Sequence, residues 1–212
     1  YEWIYDCMVD SLEEWQDYAP FTYPHRPLGN KPVAIGYDPA RNVDASVCVV
    51  AAVPERPGEN FRLLEKHFWQ GQDFEEQTQN MLDILNRYNV VHLGMDTTAL
   101  GLAVGDRLER FYPSITRYDM NQDLKSQFIL QARNIFQKKR VEIDFGDTDV
   151  ISSFLSIQPY ETRTRGLSYD SARNKDTGHA DLSWAMMYLF GYEPFSGEIE
   201  QAESTIFSLD GY

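Results

Sequence analysis

The sequence predicts an α/β fold with one mixed sheet and helices on both of its faces. Two observations support this prediction. Three β-rich runs separated by turn residues follow one another between residues 32 and 69, which is typical of an antiparallel meander. After them, strand-like apolar runs alternate with segments of helical spacing, and this alternation is typical of β/α units.

Length and composition agree with one folded domain. The chain has 212 residues, of which 42% are hydrophobic and 25% are charged, values that are typical of globular proteins. A chain of this length can build one full hydrophobic core. The apolar stretch at residues 182–192 is too short to span a bilayer, and the N-terminus has no secretory signal pattern. The sequence therefore argues against a membrane-spanning or secreted protein.

Charge and cysteine content narrow the classes of function. With 19 basic and 33 acidic residues the net charge is −14, which argues against binding of nucleic acid by bulk electrostatics. Any contact with DNA must therefore be local. Cys7 and Cys48 are far apart and are predicted to be unlinked thiols. Together with four scattered histidines they cannot form a structural zinc site.

The first 30 residues are predicted to form a linker. They are aromatic and acidic and then punctuated by prolines, with a short helix predicted over residues 12–18. The chain begins at Tyr1 instead of Met, which suggests a segment of a longer protein.

The sheet is predicted to begin at residue 32. Strands are expected over residues 32–38, 45–53 and 61–69. Asp73 is predicted to cap a helix that runs through Tyr88, because Glu76 follows three residues later and completes a capping box. Residues 90–96 are almost wholly apolar, which predicts a strand that is buried on both faces at the centre of the sheet.

The second half of the chain continues the alternation. The predicted elements are a helix over 101–111, a strand over 115–118, a helix over 124–139, a strand over 141–145, a helix over 147–156, a β-hairpin over 160–173 with Gly166 at its turn, and a closing helix over 179–192. The tail beyond Glu193 is polar and is expected to fray.

Three aspartates stand at the ends of predicted elements. Asp38 ends the first strand of the meander, Asp96 ends the buried strand, and Asp181 begins the last helix. Strand ends and a helix start can meet at one rim of a sheet. Three carboxylates there would repel one another unless divalent cations neutralised them. This pattern predicts a metal site.

The chemistry of this site follows from its ligands. Oxygen ligands without cysteine favour Mg²⁺ over zinc, and two ions about 4 Å apart can hold a scissile phosphate between an activated water and the leaving oxygen. The predicted reaction is phosphodiester hydrolysis. Spacing alone leaves a second interpretation open, since an aspartate at a strand end commonly shapes a turn, and Asp181 can simply cap its helix.

Three segments carry a resemblance to a known family. They are Ile-Gly-Tyr-Asp-Pro-Ala at 35–40, His-Leu-Gly-Met-Asp-Thr-Thr-Ala-Leu-Gly at 92–101 and Gly-His-Ala-Asp-Leu-Ser-Trp-Ala at 178–185. In this order they resemble the C-terminal nuclease domain of the large terminase subunit of tailed double-stranded DNA phages, over about residues 31–192. The resemblance implies an RNase H-like fold and a two-metal endonuclease, dependent on Mg²⁺ or Mn²⁺, that cuts concatemeric viral DNA.

The family's acidic ligands carry over onto Asp38, Asp96 and Asp181, where some relatives have glutamate at the second position. Asp44 matches an extra acidic residue of some relatives, and a plain turn aspartate is its alternative. His179 is a candidate for orienting water or donating to a phosphate. A structural role at the start of the helix is its alternative.

Basic residues in two places are candidates for contact with DNA. The predicted hairpin and the segment after it are favoured, because they directly precede Asp181, and they carry Arg163, Arg165, Arg173 and Lys175. The long helix carries the second set, Lys125, Arg133, Lys138, Lys139 and Arg140. For the last three, a charge cluster favoured by the helix macrodipole is the alternative.

The resemblance also implies partners and a domain plan. The sequence has no Gly-x-x-x-x-Gly-Lys-Ser/Thr loop, so the motor ATPase is expected before Tyr1. The expected plan is a linker from the motor over 1–30, the nuclease over 31–192 and a tail over 193–212. Expected partners are double-stranded DNA, the ATPase domain of the same full-length protein, the small terminase subunit and the portal protein, with no membrane. The expected location is the host cytoplasm and, transiently, the procapsid portal.

Two other functions stay open from the sequence. A junction resolvase or transposase core would share the carboxylates, because both are RNase H-like nucleases. A nuclease-like module that has lost catalysis and serves in docking to the portal or motor is the non-enzymatic alternative, and the presence of all three aspartates argues against it.

Overall fold

A computed structural model describes residues 2–9, 28–40, 45–56, 59–98, 101–161, 167–171 and 180–195. Within these ranges the helices are α1 (Glu2–Tyr5), α2 (Phe74–Arg87), α3 (Gly101–Leu108), α4 (Gln122–Gln137), α5 (Thr148–Leu155) and α6 (Asp181–Phe190). The strands are β1 (Met8–Val9), β2 (Pro32–Asp38), β3 (Ala45–Ala52), β4 (Phe61–Gln70), β5 (Asn89–Asp96), β6 (Thr116–Tyr118), β7 (Val141–Asp144), β8 (Ile157–Glu161) and β9 (Leu167–Ser171).

Seven strands form one mixed sheet in the order β1-β7-β4-β3-β2-β5-β6. The meander prediction is confirmed, since β2 pairs antiparallel with β3 and β3 pairs antiparallel with β4. The predicted parallel part is confirmed as well, because β5 is parallel to both β2 and β6. The strands of the predicted hairpin are confirmed by β8 and β9, which pair antiparallel apart from the main sheet, while Gly166, predicted at its turn, lies outside the described residues.

The position predicted for β5 was wrong. This strand lies between β2 and the edge strand β6, not at the centre of the sheet. Its apolar second half is nevertheless buried, from His92 to Met95, because helices cover both faces. A strand is therefore buried on both faces wherever helices cover both faces of the sheet. Such burial does not show how far the strand lies from the sheet edge.

The two faces of the sheet form two hydrophobic cores. Along β3, Val47 and Val49 enter one core and Cys48 and Val50 enter the other, as the two-residue period of a strand requires. Helices α4, α5 and α6 cover the first core, and α2 and α3 cover the second. The predicted helices on both faces are therefore confirmed. Both cysteines are buried and free, as expected.

Residues 2–9 differ from the predicted linker. Strand β1 pairs in parallel with β7, with Met8 opposite Ile143. Ile4 and Cys7 are buried, and the Trp3 ring lies 6.2 Å from the ring of Phe136 on α4. This stretch joins the sheet because its apolar side chains cover the exposed end of the first core. The helix predicted over 12–18 lies outside the described residues.

The chain just beyond α6 also differs from the expected frayed tail. Glu193 forms an ion pair with Arg140, with an N–O distance of 2.5 Å. The Phe195 ring meets the Phe128 ring edge-on at 4.9 Å between centroids. Residues 193–195 therefore pack on the domain, while 196–212 lie outside the described residues.

The predicted boundaries agree with the observed elements to within a few residues. The capping box of α2 is confirmed, since the Asp73 side chain accepts from Glu76 N at 2.9 Å and Glu76 accepts from Asp73 N at 2.9 Å. Helix α3 ends at Leu108, three residues earlier than expected. Among the described residues, no helix is both long and apolar enough to cross a bilayer.

Candidate functional site

Asp38 and Asp96 end neighbouring parallel strands. In the register of β2 and β5, Tyr37 lies opposite Met95, and the two aspartates are the next residue of each strand. Adjacent strands lie about 4.8 Å apart. The backbones of Asp38 and Asp96 therefore lie side by side where the two strands end.

Helix α6 crosses these strands in close contact, and two glycines permit it. A Cβ atom on Gly36 would lie 1.7 Å from Ala185 O, and one on Gly94 would lie 2.4 Å from Tyr188 O. Any side chain at either position would push the helix off the sheet.

The direction of α6 determines which rim Asp181 faces. His92, near the middle of β5, lies with Nε2 3.0 Å from Tyr188 O, in the last part of the helix. Phe190, the last residue of the helix, packs on Phe61 of β4, which the strand register places level with the start of β2. The helix therefore runs opposite to β5, and its first residue, Asp181, lies toward the ends of β2 and β5. Asp38, Asp96 and Asp181, the rim aspartates, thus share one rim of the sheet.

The pKa of the Tyr188 phenol responds to the charges at this rim. Its phenol is buried, and burial raises its pKa well above the usual value. The charges of the three rim aspartates raise the pKa further. The charges of all three aspartates therefore act on one buried group. This agrees with the shared rim derived from the strand register and the direction of α6.

The loop after β5 is fixed by a small set of hydrogen bonds. Asp96 Oδ1 accepts from Thr98 N at 2.7 Å, and Thr98 Oγ1 accepts from Met120 N at 3.0 Å. Thr97 N donates to Tyr118 O at 2.9 Å. A Cβ atom on Gly101 would lie 2.1 Å from Asp96 O, so only glycine allows α3 to begin here. Thr97, Thr98 and Gly101 therefore shape the backbone that follows Asp96.

The start of α6 is capped by another helix. Its own N-cap residue, Ala180, has no side chain that can accept a hydrogen bond. Ser153 on α5 instead accepts from Ser183 N at 3.0 Å, and the two hydroxyl oxygens lie 2.7 Å apart. Both serines are buried. Sequence reasoning missed this contact because the residues are 30 positions apart, and no local pattern marks a cap supplied from elsewhere.

The rim fits a hard divalent cation by its donor chemistry. All three side chains offer carboxylate oxygens, the ligands that Mg²⁺ and Mn²⁺ prefer. Within the described residues, no three His, Cys, Asp or Glu side chains are arranged so that they could hold a metal ion together. The rim aspartates therefore share a rim without forming a closed cluster. A cation there would offset the repulsion between their charges.

Several predicted site residues lie outside the described residues, namely Asp44, Arg163, Arg165, Arg173, Lys175 and His179. The hairpin strands β8 and β9 that flank two of these arginines are described, and β9 lies against α4.

The basic residues of α4 and its end have different surroundings. Lys139 pairs with Asp6 at 3.0 Å, and Arg140 pairs with Glu193, so both have structural partners. Lys125 lies at the other end of the helix, with Nζ 5.8 Å from the centre of the Trp184 ring. The ion pairs favour the structural alternative for Lys139 and Arg140. Lys125 differs from them because its contact is with an aromatic ring.

Comparison with known proteins gives a consistent family. The model of the terminase RNaseH-like domain matches residues 35–193. The chain is 38% identical over 200 residues to the "Terminase, ATPase subunit" of Escherichia phage P2, covering 94% of this chain and 34% of that protein. It is 28% identical over 182 residues to the "Probable terminase, ATPase subunit" of Haemophilus phage HP1, covering 85% and 30%. The chain thus spans about a third of the length of these curated relatives.

Solved structures show the same fold. The large terminase nuclease of thermophilic phage G20c with bound magnesium superposes with a TM-score of 0.64 at 18% identity, covering 75% of this chain and 80% of that one. Structures of that nuclease with bound cobalt and with bound zinc are also similar. The RNase H-like fold expected from the sequence is therefore confirmed.

Proposed function

The chain belongs to the terminase RNaseH-like domain family, and from this premise we propose that it is a metal-dependent DNA endonuclease of viral genome packaging. One observation carries the proposal. Asp38 and Asp96 end adjacent parallel strands, and α6 starts with Asp181 at that end and runs back across the same strands, away from it. A rim of three carboxylates is suited to metal-assisted cleavage of a phosphodiester.

In the proposed site the rim aspartates would hold two divalent cations, Mg²⁺ or Mn²⁺. Such cations would supply Lewis acidity for activating a water and stabilising the leaving oxygen. The chain's own residues keep the ligands in position. Thr98 N fixes one oxygen of Asp96, and the Ser153 hydroxyl holds the first turn of α6. Bound magnesium in the similar G20c nuclease supports this choice of ion.

Asp44, His179 and the basic residues near the hairpin belong to the proposal as auxiliary groups. Asp44 would add a carboxylate to the metal site, and His179 would orient water or contact a phosphate. Contact with DNA would come from Arg163, Arg165, Arg173 and Lys175.

The proposed substrate is concatemeric double-stranded viral DNA, cut when packaging starts and ends. The proposed partners are an ATPase domain of the same full-length protein, the small terminase subunit and the portal protein. The name of the P2 relative and the third of its length that this chain spans support an ATPase outside this segment. We place the protein in the host cytoplasm and, during packaging, at the procapsid portal.

The proposed domain plan keeps the nuclease at residues 31–192, which the family match over 35–193 supports. Residues 1–30 would connect it to the motor, with residues 2–9 packed on the nuclease side, and residues 193–212 would form the tail. The family match also favours a terminase over a junction resolvase or transposase core. The three carboxylates count against a module that only docks.

A plasmid-nicking assay tests the proposal. The chain should nick supercoiled DNA with Mg²⁺ or Mn²⁺ and not with Ca²⁺ or a chelator, and it should not hydrolyse ATP. Asp38→Asn, Asp96→Asn and Asp181→Asn should each abolish nicking without changing the circular dichroism spectrum, because each removes charge that the cations need. Asp83→Asn, on the exposed surface of α2, is the matched control and should keep full activity.

Two results would contradict the proposal. The first is full nicking activity in all three rim variants. The second is a crystal structure with manganese in which the rim carboxylates lie more than about 8 Å apart, a separation too large for shared ions.

A further inference from the structure

The first turn of α4 lies at the same rim as the three aspartates. Strand β6 is parallel to β5, and Tyr118 lies opposite Asp96, so both strands end at one level. The short connection to α4 is tied to this level, because Met120 N donates to Thr98 Oγ1. Helix α4 begins at Gln122, and Lys125 is in its first turn.

Lys125 is held against an aromatic ring of the helix that starts with Asp181. Its Nζ lies 5.8 Å from the centre of the Trp184 ring, a cation–π distance. Trp184 is three residues after Asp181, so both side chains lie on the same side of α6. The indole also stacks on Tyr188, with ring centres 6.3 Å apart and planes inclined by 26°. The ammonium group is therefore positioned beside the rim by two packed aromatic rings.

The surroundings of Lys125 differ from those of other cations of the domain. Arg62, Lys66 and Arg117 each lie within ion-pair distance of a carboxylate. In the part of the chain that the structure describes, Lys125 has an aromatic partner and no ion pair. Among the described residues, no carboxylate lies within ion-pair distance of its ammonium group, and both Lys125 and Trp184 are half-buried, which leaves part of each accessible.

We propose that Lys125, held over Trp184, binds a backbone phosphate of DNA next to the rim aspartates. The inference rests on the proposed function and names a contact for its substrate. A chain with a net charge of −14 repels DNA at long range. A fixed positive charge beside the carboxylates acts only at contact, where it offsets part of this repulsion and orients the duplex.

Salt dependence of DNA binding distinguishes a phosphate contact from packing. Each phosphate contact contributes about 0.9 to the slope of log affinity against log salt concentration. Lys125→Met keeps a stem that covers Trp184 and removes the charge. The variant should reduce the slope by about 0.9. Between about 50 and 200 mM salt, the loss of DNA affinity should therefore be about threefold smaller for the variant than for the wild-type chain.

The measurement is fluorescence anisotropy of a labelled DNA duplex with Ca²⁺, which does not depend on cleavage. Lys125→Arg should restore the slope. Lys31→Met is the matched control, since Lys31 is exposed just before β2, at the opposite end of that strand from Asp38, and it should leave the slope unchanged. An unchanged slope in Lys125→Met, or no binding by the unchanged chain, would overturn the inference. Absence of nicking with intact binding would contradict the proposed function instead.

Discussion

Single residues decide how closely α6 can approach the sheet. Gly36 and Gly94 each face backbone atoms of α6 that a methyl group would meet at 2.4 Å or less. Backbone atoms cannot rotate away as a flexible side chain can, so even alanine at either position would displace the helix. Since Asp181 is the first residue of α6, the missing side chains of two glycines help to set its distance from Asp38 and Asp96.

Glu65 shows a second effect at the residue scale, on the far side of the sheet from α6. Burial alone would raise the pKa of this carboxyl, but hydrogen bonds from His67, Tyr88 and Arg87 outweigh burial and lower its pKa to about 2. The bonds from His67 Nε2 and Arg87 Nη2 measure 2.7 and 2.6 Å. Glu65 thus ties strand β4 to the end of α2.

A pH series should reveal this stabilisation. The pKa of Glu65 is lower in the folded state than its ordinary value of 4.5, so ionised Glu65 stabilises the fold above pH 4.5. The contribution is lost as the pH falls toward 2. Glu65→Gln should therefore lower the free energy of unfolding at pH 7 by about 1–3 kcal/mol. It should also flatten the decline in stability between pH 4.5 and 2.

Urea unfolding at a series of pH values measures both effects. Asp83→Asn on the exposed surface of α2 is the control and should change stability little. A variant Glu65→Gln that is as stable as the unchanged chain at pH 7 would show that desolvation of Glu65 cancels its hydrogen bonds.

At the scale of elements, α6 depends on α5 for its cap. Ser153 Oγ accepts the Ser183 amide and also contacts the Ser183 hydroxyl. Ser153→Ala leaves a buried amide without an acceptor and should lower the free energy of unfolding by about 1–3 kcal/mol. Ser183→Ala should cost less, because Ser153 still accepts from the amide. Nicking should fall in the same order, since the first turn of α6 carries Asp181.

Urea unfolding and nicking rates of the two variants test this order. Ser152→Ala is the control on the same helix, because Ser152 is exposed and its hydroxyl donates within the helix, to Thr148 O at 3.2 Å. A Ser183→Ala variant that is less stable than Ser153→Ala would show that the hydroxyl pair, not the amide cap, holds the start of α6.

Elements with local signals were predictable, and elements held by distant contacts were not. The capping box of α2 involves residues three positions apart, so the sequence predicts it directly. The adjacency of Asp38 and Asp96 was predictable because ends of parallel strands meet at one edge. The packing of residues 2–9 was not, since Cys7 meets Phe136, 129 positions away. The same holds for the contact between Ser153 and Ser183.

At the scale of the whole molecule, two electrostatic effects oppose each other in DNA binding. A net charge of −14 repels the duplex at long range. The cations proposed for the rim and the basic side chains proposed to contact DNA would attract it only within a Debye length of roughly 8 Å at physiological salt. Attraction can therefore prevail only at contact. We expect the chain to bind duplex DNA weakly and without sequence preference, so that delivery of the substrate depends on other parts of the terminase.

The hairpin provides the sharpest test of this balance. Replacing Arg163 and Arg165 by alanine should reduce nicking at low salt more than replacing Lys138 and Lys139. The arginines lie between β8 and β9, in the segment that leads to Asp181, whereas Lys139 already pairs with Asp6 at 3.0 Å at the far end of α4. Because contacts with phosphate weaken as salt rises, the difference between the two double variants should shrink with increasing salt.

Nicking rates and gel shifts across a salt series measure this difference. An unaffected Arg163→Ala, Arg165→Ala double variant would show that another surface holds the DNA. Tight binding of DNA that does not change with salt would contradict the prediction of weak binding. An acidic chain could bind a polyanion tightly and independently of salt only through contacts that do not depend on charge.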